Sequence, residues 1–169
     1  MDVAAGQDQP EPIADGERLG RHEWSETSAK KAYRQLKLGK KANIRANKFE
    51  PRTGHNDVSV DRMDLAADED ELAKLAEENT TREGKLFRGW YTLTAHDVAE
   101  AGCRARPTPL SENPYHADIV FPVALNADNR QNEIRKRAIE LAYRALYVPW
   151  GDWQDEVTID KSELPSTVA

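Results

Sequence analysis

The sequence is short of several things, and each shortage removes a class of explanation. It has one cysteine, Cys103, in 169 residues, so neither an internal disulfide nor a cysteine zinc cluster can form within the chain. No run of apolar residues reaches the length that spans a bilayer. The first residues, MDVAAGQDQPEPIADGE, lack the basic start and apolar stretch of a secretory signal. There is no glycine-rich phosphate loop, no Walker pattern, no H-E-x-x-H and no Cys/His zinc spacing. The expectation is a cytoplasmic protein with no membrane association, no bound cofactor and no metal. Cys103 lies among residues that read as a strand, which favours a buried structural thiol over a nucleophile.

Apolar residues are also scarce, at 38% against about 45–50% in ordinary globular chains. The scarcity is local. Residues 1–20 carry five acids against one base and almost no large apolar side chain, so they read as a disordered acidic tail. Residues 154–169 read as a flexible C-terminal tail. Between them, residues 21–153 hold enough apolar side chains for a single domain.

Within that domain, helical and extended patterns alternate. Ser25 to Ser28 offer helix caps before AKKAYRQLKL, and Gly39 offers a stop. DVSVDR (57–62) alternates as a strand does. Residues 67–79 place Leu72, Leu75 and Ala76 at helical spacing, with acids at the start. LFRGWYTL (86–93) is aromatic and β-prone. A short helix opens near Ala95 and ends near Gly102; residues 103–109 and ADIVFPV (117–123) read as strands. The longest helix spans 129–146, with Ile134, Ala138, Leu141, Ala142 and Leu146 as one stripe. The fold class expected is α+β: a small mixed sheet of four or five strands with three or four packed helices.

What the chain does have is a basic block inside an acidic protein. Residues 21–62 carry eleven bases against five acids, whereas residues 63–169 carry twelve against twenty. From Lys30 to Lys48 there are eight bases and no acid. Lys30, Arg34, Lys37, Lys41, Arg45 and Lys48 recur at steps of three or four. They would make one positive stripe if the helix continued past Gly39. Such a stripe suits an acidic protein or a polyanion, nucleic acid included. The plainer reading is a solvated helix face, and the acidic total charge speaks against a dedicated nucleic-acid binder.

A second feature is a repeated His-x-Asp. His55 and Asp57 lead into one strand, and His116 and Asp118 into another. Residues two apart on a strand point the same way, so each triplet can present an imidazole and a carboxylate together. The same spacing occurs in non-haem iron oxygenases, whose larger barrel this chain is too short of strands to build. A triad from Ser59, His116 and Asp57 can be written, but no nucleophile elbow accompanies it. Both triplets also sit in sequences rich in turn formers, RTGHND and SENP. Asn47, Arg52, Ser59, Arg62, Asn113 and Tyr115 flank the same strands and extend the polar set. Aromatic residues are the third feature: Trp150 and Trp153, beyond the last helix, either pack back as a lid or form an exposed rim.

Two functions fit these features. The first is a non-catalytic binding or accessory protein that recognises a macromolecular partner through residues 30–48 and the aromatic rim. The alternative is an enzyme acting on a phosphate-containing substrate, a nucleotide or nucleic acid. In it Arg45, Arg52 or Arg62 would hold the anion, with His55 or His116 as acid–base. Convergence of the two His-x-Asp pairs with an arginine in a cleft would separate them.

Overall fold

A computed structural model describes residues 10–82, 84–159 and 162. The fold is α+β, with four helices and one six-stranded sheet. The strands are β1 (Arg18–His22), β2 (Asp57–Arg62), β3 (Gly89–Thr94), β4 (Arg104–Pro107), β5 (His116–Val120) and β6 (Leu146–Pro149). Their order across the sheet is β4-β5-β2-β1-β3-β6. Among the described residues every pairing is antiparallel, and the sheet has one or two strands more than the four or five expected. The helices are α1 (Glu26–Lys37), α2 (Glu69–Arg82), α3 (Ala95–Glu100) and α4 (Arg130–Arg144), with 3-10 turns at Ala46–Phe49 and Asp152–Glu156. No described helix is long and apolar enough to cross a membrane.

Local chemistry explains the boundaries. Ser25 caps α1 by accepting from Ser28 N–H at 3.3 Å, and Gly39 leaves the helix with φ 74°, a left-handed conformation that costs glycine little. Thr94 and Asp97 form a reciprocal capping box at the start of α3.

Alternation along the strands sorts side chains to two faces. Val58 and Val60 of β2, Ala117 and Ile119 of β5, Leu19 of β1, and Tyr91 and Leu93 of β3 join one large core. Ile134, Ala138, Leu141 and Ala142 of α4 and Ala29 and Ala32 of α1 close over it. The opposite face carries a smaller core, where Leu72, Ala73 and Ala76 of α2 meet Met63, Phe87 and Trp90. Gly20 makes this second packing possible. A Cβ there would lie 2.6 Å from Met63 Sδ and 2.8 Å from Trp90 Cδ1, so the indole crosses β1 only because no side chain stands in its way.

Two expectations about the ends need correction. The tail drawn to residue 20 is too long, because Arg18–His22 form a central strand between β2 and β3. The chain before it is also tied down: buried Arg62 bonds Glu17 at 2.7 Å and the carbonyls of Glu11 and Pro12. At the other end, Trp153 is buried and Val157 packs on the core, so the domain runs past 153. The rest of the expected tails, residues 1–9, 160–161 and 163–169, lies outside the described residues.

Candidate active site

The second face is only partly covered by α2. Beside the last turns of that helix a cleft of about 840 Å³ opens on the middle of the sheet. Its floor comes from the polar positions of β2, which alternate with the core valines. Ser59 and Asp61 face it, and the β2–β5 register sets His116 directly opposite Asp61. Arg21, His22 and Trp24 enter from β1 and its continuation, and Arg52, Lys85 and Asn113 from loops.

Asp61 is the hub. It is buried, yet each oxygen is engaged. Oδ2 accepts from His22 Nε2 at 2.6 Å and from the Trp90 indole N–H at 3.1 Å, while Oδ1 accepts from the Asn113 amide at 3.1 Å. Burial pushes the Asp61 carboxyl up, but the charge of His22 and the three hydrogen bonds outweigh it and leave the pKa below the usual carboxylate range. An ionised carboxylate only accepts, so His22 carries a proton on Nε2 whether the ring is charged or neutral, and in the neutral ring Nδ1 is the basic nitrogen. His116 has the opposite arrangement. Its Nδ1 lies 3.0 Å from the Thr108 carbonyl oxygen and 2.8 Å from Thr108 Oγ1. A carbonyl accepts only, so Nδ1 is the protonated nitrogen and Nε2 the basic one. The cleft is therefore lined by two imidazoles with fixed and different tautomers.

Arg21 occupies an unusual place. The β1–β2 pairing covers only Leu19–Arg62 and Gly20–Asp61. Past Gly20 the Arg21 guanidinium takes over, with Nη1 donating to the Ser59 carbonyl at 2.9 Å and Nε to the Lys48 carbonyl at 3.1 Å. Trp24 lies beside it, with Lys85 Nζ 4.3 Å and Arg21 Cζ 6.0 Å from its ring centre.

Only part of the expected site lies here. Arg52, Ser59, Asn113 and His116 line the cleft. The two His-x-Asp pairs do sit on neighbouring strands, but antiparallel register separates them. Asp57 faces Val120, four residues from His116, which is about 14 Å along a strand. Asp57 and Asp118 instead flank Arg106 at 3.9 and 3.8 Å, and His55 is exposed before the strand begins. The Ser59, His116 and Asp57 triad is not assembled, because Asp61 and not Asp57 stands opposite His116. Arg62 is turned away from the cleft into its ion pair with Glu17, and the Tyr115 hydroxyl donates to Glu71 at 2.6 Å. Among the described residues no group of three His, Cys, Asp or Glu is placed as metal ligands.

The basic stripe does not form as one helical face, because α1 ends at Lys37. Lys30 pairs with Glu26 at 2.7 Å, Lys37 lies over Tyr33, Lys41 donates to the Tyr143 carbonyl, and Lys48 meets buried Glu23 at 3.0 Å. Arg34 and Arg45 are exposed. The aromatic rim packs inward: Trp150 lies edge-on to Trp90, and Trp153 is buried. Cys103 is buried, which pushes its thiol up to about 12 and suits the structural role. The residues that the sequence left unassigned are Arg21, His22, Trp24, Asp61 and Lys85. No protein-family model, curated protein or solved structure matches the chain.

Proposed function

We propose that the cleft is an active site for acid–base chemistry on a small phosphate-containing substrate. The observation that carries this reading is the Asp61–His22 pair facing His116 across a cleft that also holds arginine. One neutral imidazole can take a proton from the attacking group while the other, protonated, returns it to the leaving group. Asp61 supports this role by orienting His22 and stabilising the imidazolium formed in the step. The cleft volume is within the range that small-molecule sites occupy, about 300–1,000 Å³. Of the three arginines considered as anion holders, Arg52 is the one that lines the cleft.

The test is turnover of nucleoside phosphates and simple phosphate esters by the purified chain, followed by phosphorus NMR. His22→Gln and His116→Gln should each lower turnover by about 10²–10⁴-fold; the melting temperature should stay within a few degrees for His116→Gln and fall for His22→Gln, which removes the charged partner of buried Asp61. Full activity in both variants would end this reading.

A second reading keeps the basic segment as a docking surface for an acidic partner or nucleic acid. It is supported by Lys31, Arg34, Lys40 and Arg45, all exposed and without a carboxylate partner among the described residues. Reversal of Arg34 and Arg45 to Glu should then remove salt-sensitive binding to a polyanion such as heparin, and unchanged binding would exclude it.

A further inference from the structure

Several arginines elsewhere in the fold meet carboxylates. Arg62 lies 2.7 Å from Glu17, Arg137 2.6 Å from Glu133, and Arg144 3.6 Å from Asp97. The two arginines of the cleft do not. Arg21 is held by the Lys48 and Ser59 carbonyls, neutral acceptors that fix its direction without forming an ion pair. Arg52 makes no side-chain hydrogen bond or ion pair among the described residues, although it lines the same cleft. The two guanidiniums repel one another, and this adds to burial in holding Arg21 below the usual arginine range, with Glu23 opposing. Asp61 and Glu112 also line the cleft, but neither forms an ion pair with Arg21 or Arg52 among the described residues, and two like charges so placed are complementary to an anion that supplies two negative charges.

We propose that Arg21 and Arg52 form a receptor for a dianionic phosphoryl group, so that the substrate of the cleft is a phosphomonoester and not a phosphodiester. A terminal phosphate presents three free oxygens to two planar forks, and each fork can meet two of them in a bidentate contact. A diester carries one charge and two free oxygens, which satisfies one guanidinium and leaves the other uncompensated. The backbone carbonyls that hold Arg21 set its fork before the anion arrives, so little ordering is needed on binding. This inference rests on reading the cleft as the active site, and it specifies which ester enters.

The experiment is calorimetric titration of the full chain at pH 8 with three probes: methyl phosphate, dimethyl phosphate and malonate. At that pH methyl phosphate is a dianion, because the second ionisation of a phosphate ester lies near about 6. Methyl phosphate should bind about tenfold or more tightly than dimethyl phosphate, the scale of one charge-assisted contact. Arg52→Gln should weaken it by a similar factor, and Arg52→Lys should restore part of the loss. No binding of methyl phosphate, equal affinity for the diester or for malonate, or unchanged affinity in Arg52→Gln would overturn the receptor. His22→Gln separates this claim from the acid–base reading: it should keep methyl phosphate affinity and lose turnover. Binding that obeys these rules in a protein with no turnover would retain the receptor and remove the enzyme.

Discussion

The two faces of the sheet each bury a carboxylate, and the two carboxylates behave in opposite ways. Glu23 reaches the side of the large core, where it is 2% exposed and meets Lys48 at 3.0 Å beside Tyr91 and Tyr147. There burial dominates and raises its pKa, with Lys48 opposing. Asp61 is on the side of the cleft and nearly as buried, at 3%. There the charge of His22 and three donors outweigh burial, and its pKa falls. Each carboxylate has a cationic partner and three hydrogen-bond donors, which for Glu23 are Lys48, Tyr91 and the Ser25 backbone, so the opposite directions come from the balance of these interactions against burial and not from their number.

The comparison breaks first, and most severely, if β1 is removed. A chain starting at Arg21 loses three of the five residues of a central strand, core residue Leu19, and Glu17 from buried Arg62. Cooperative thermal unfolding should disappear, as followed by circular dichroism. A melt within a few degrees of the full chain would show that β1 does not hold the sheet together.

The next effect is at the hub. Asp61→Ala leaves the Trp90 indole and the Asn113 amide without their acceptor, and breaking a buried charged pair costs about 3–5 kcal/mol. Leu141→Ala on the covered face should cost about 2–5 kcal/mol through the cavity it leaves. Comparable losses in urea unfolding would mean that the polar face is as integral to the fold as the apolar one. A loss under about 1 kcal/mol for Asp61→Ala would contradict the bonding described.

Acid should sharpen the contrast further. Asp61 has a folded pKa below its unfolded value, so its stabilisation is present above about 3.9 and fades as pH falls toward the folded value. Glu23 has a raised folded pKa, so stability falls as pH rises from about 4.3 through that value. The gap between wild type and Asp61→Asn should therefore narrow on acidification from pH 6 to 3. Glu23→Gln should remove a decline seen in the wild type above pH 4.3. Denaturant titrations across this range check both signs, and parallel profiles would refute the assignment. The smallest effect is expected at Ser59, which is exposed on the cleft floor: Ser59→Ala should change stability by under about 0.5 kcal/mol.

Much of this was legible before the fold was known. The alternation in DVSVDR marked β2, and the helical stripe of 129–146 placed Ile134, Ala138 and Leu141 in the core. Two strands were not legible. RLGRH is short and polar because one of its faces carries Gly20 under an indole and His22 in the cleft, so no apolar alternation marks it. Leu146 continues the stripe of α4, and the helix ends at Ala145 with an extended backbone and no glycine, so β6 read as more helix. Missing β1 hid Arg21, His22 and Trp24, and with them the partner that singles out Asp61 among thirty acids. The pairing of the two His-x-Asp triplets failed for a different reason. Sequence gives the period of a strand but not its register, and here the register set His116 against Asp61.

The central claim is that the cleft holds two imidazoles locked in opposite tautomers, and long-range nitrogen–proton NMR of the histidine rings tests it most directly. At alkaline pH, where each ring carries one proton, the account requires His22 to hold it on Nε2 and His116 on Nδ1. His22 protonated on Nδ1, or His116 on Nε2, would contradict the arrangement on which the proposed chemistry depends.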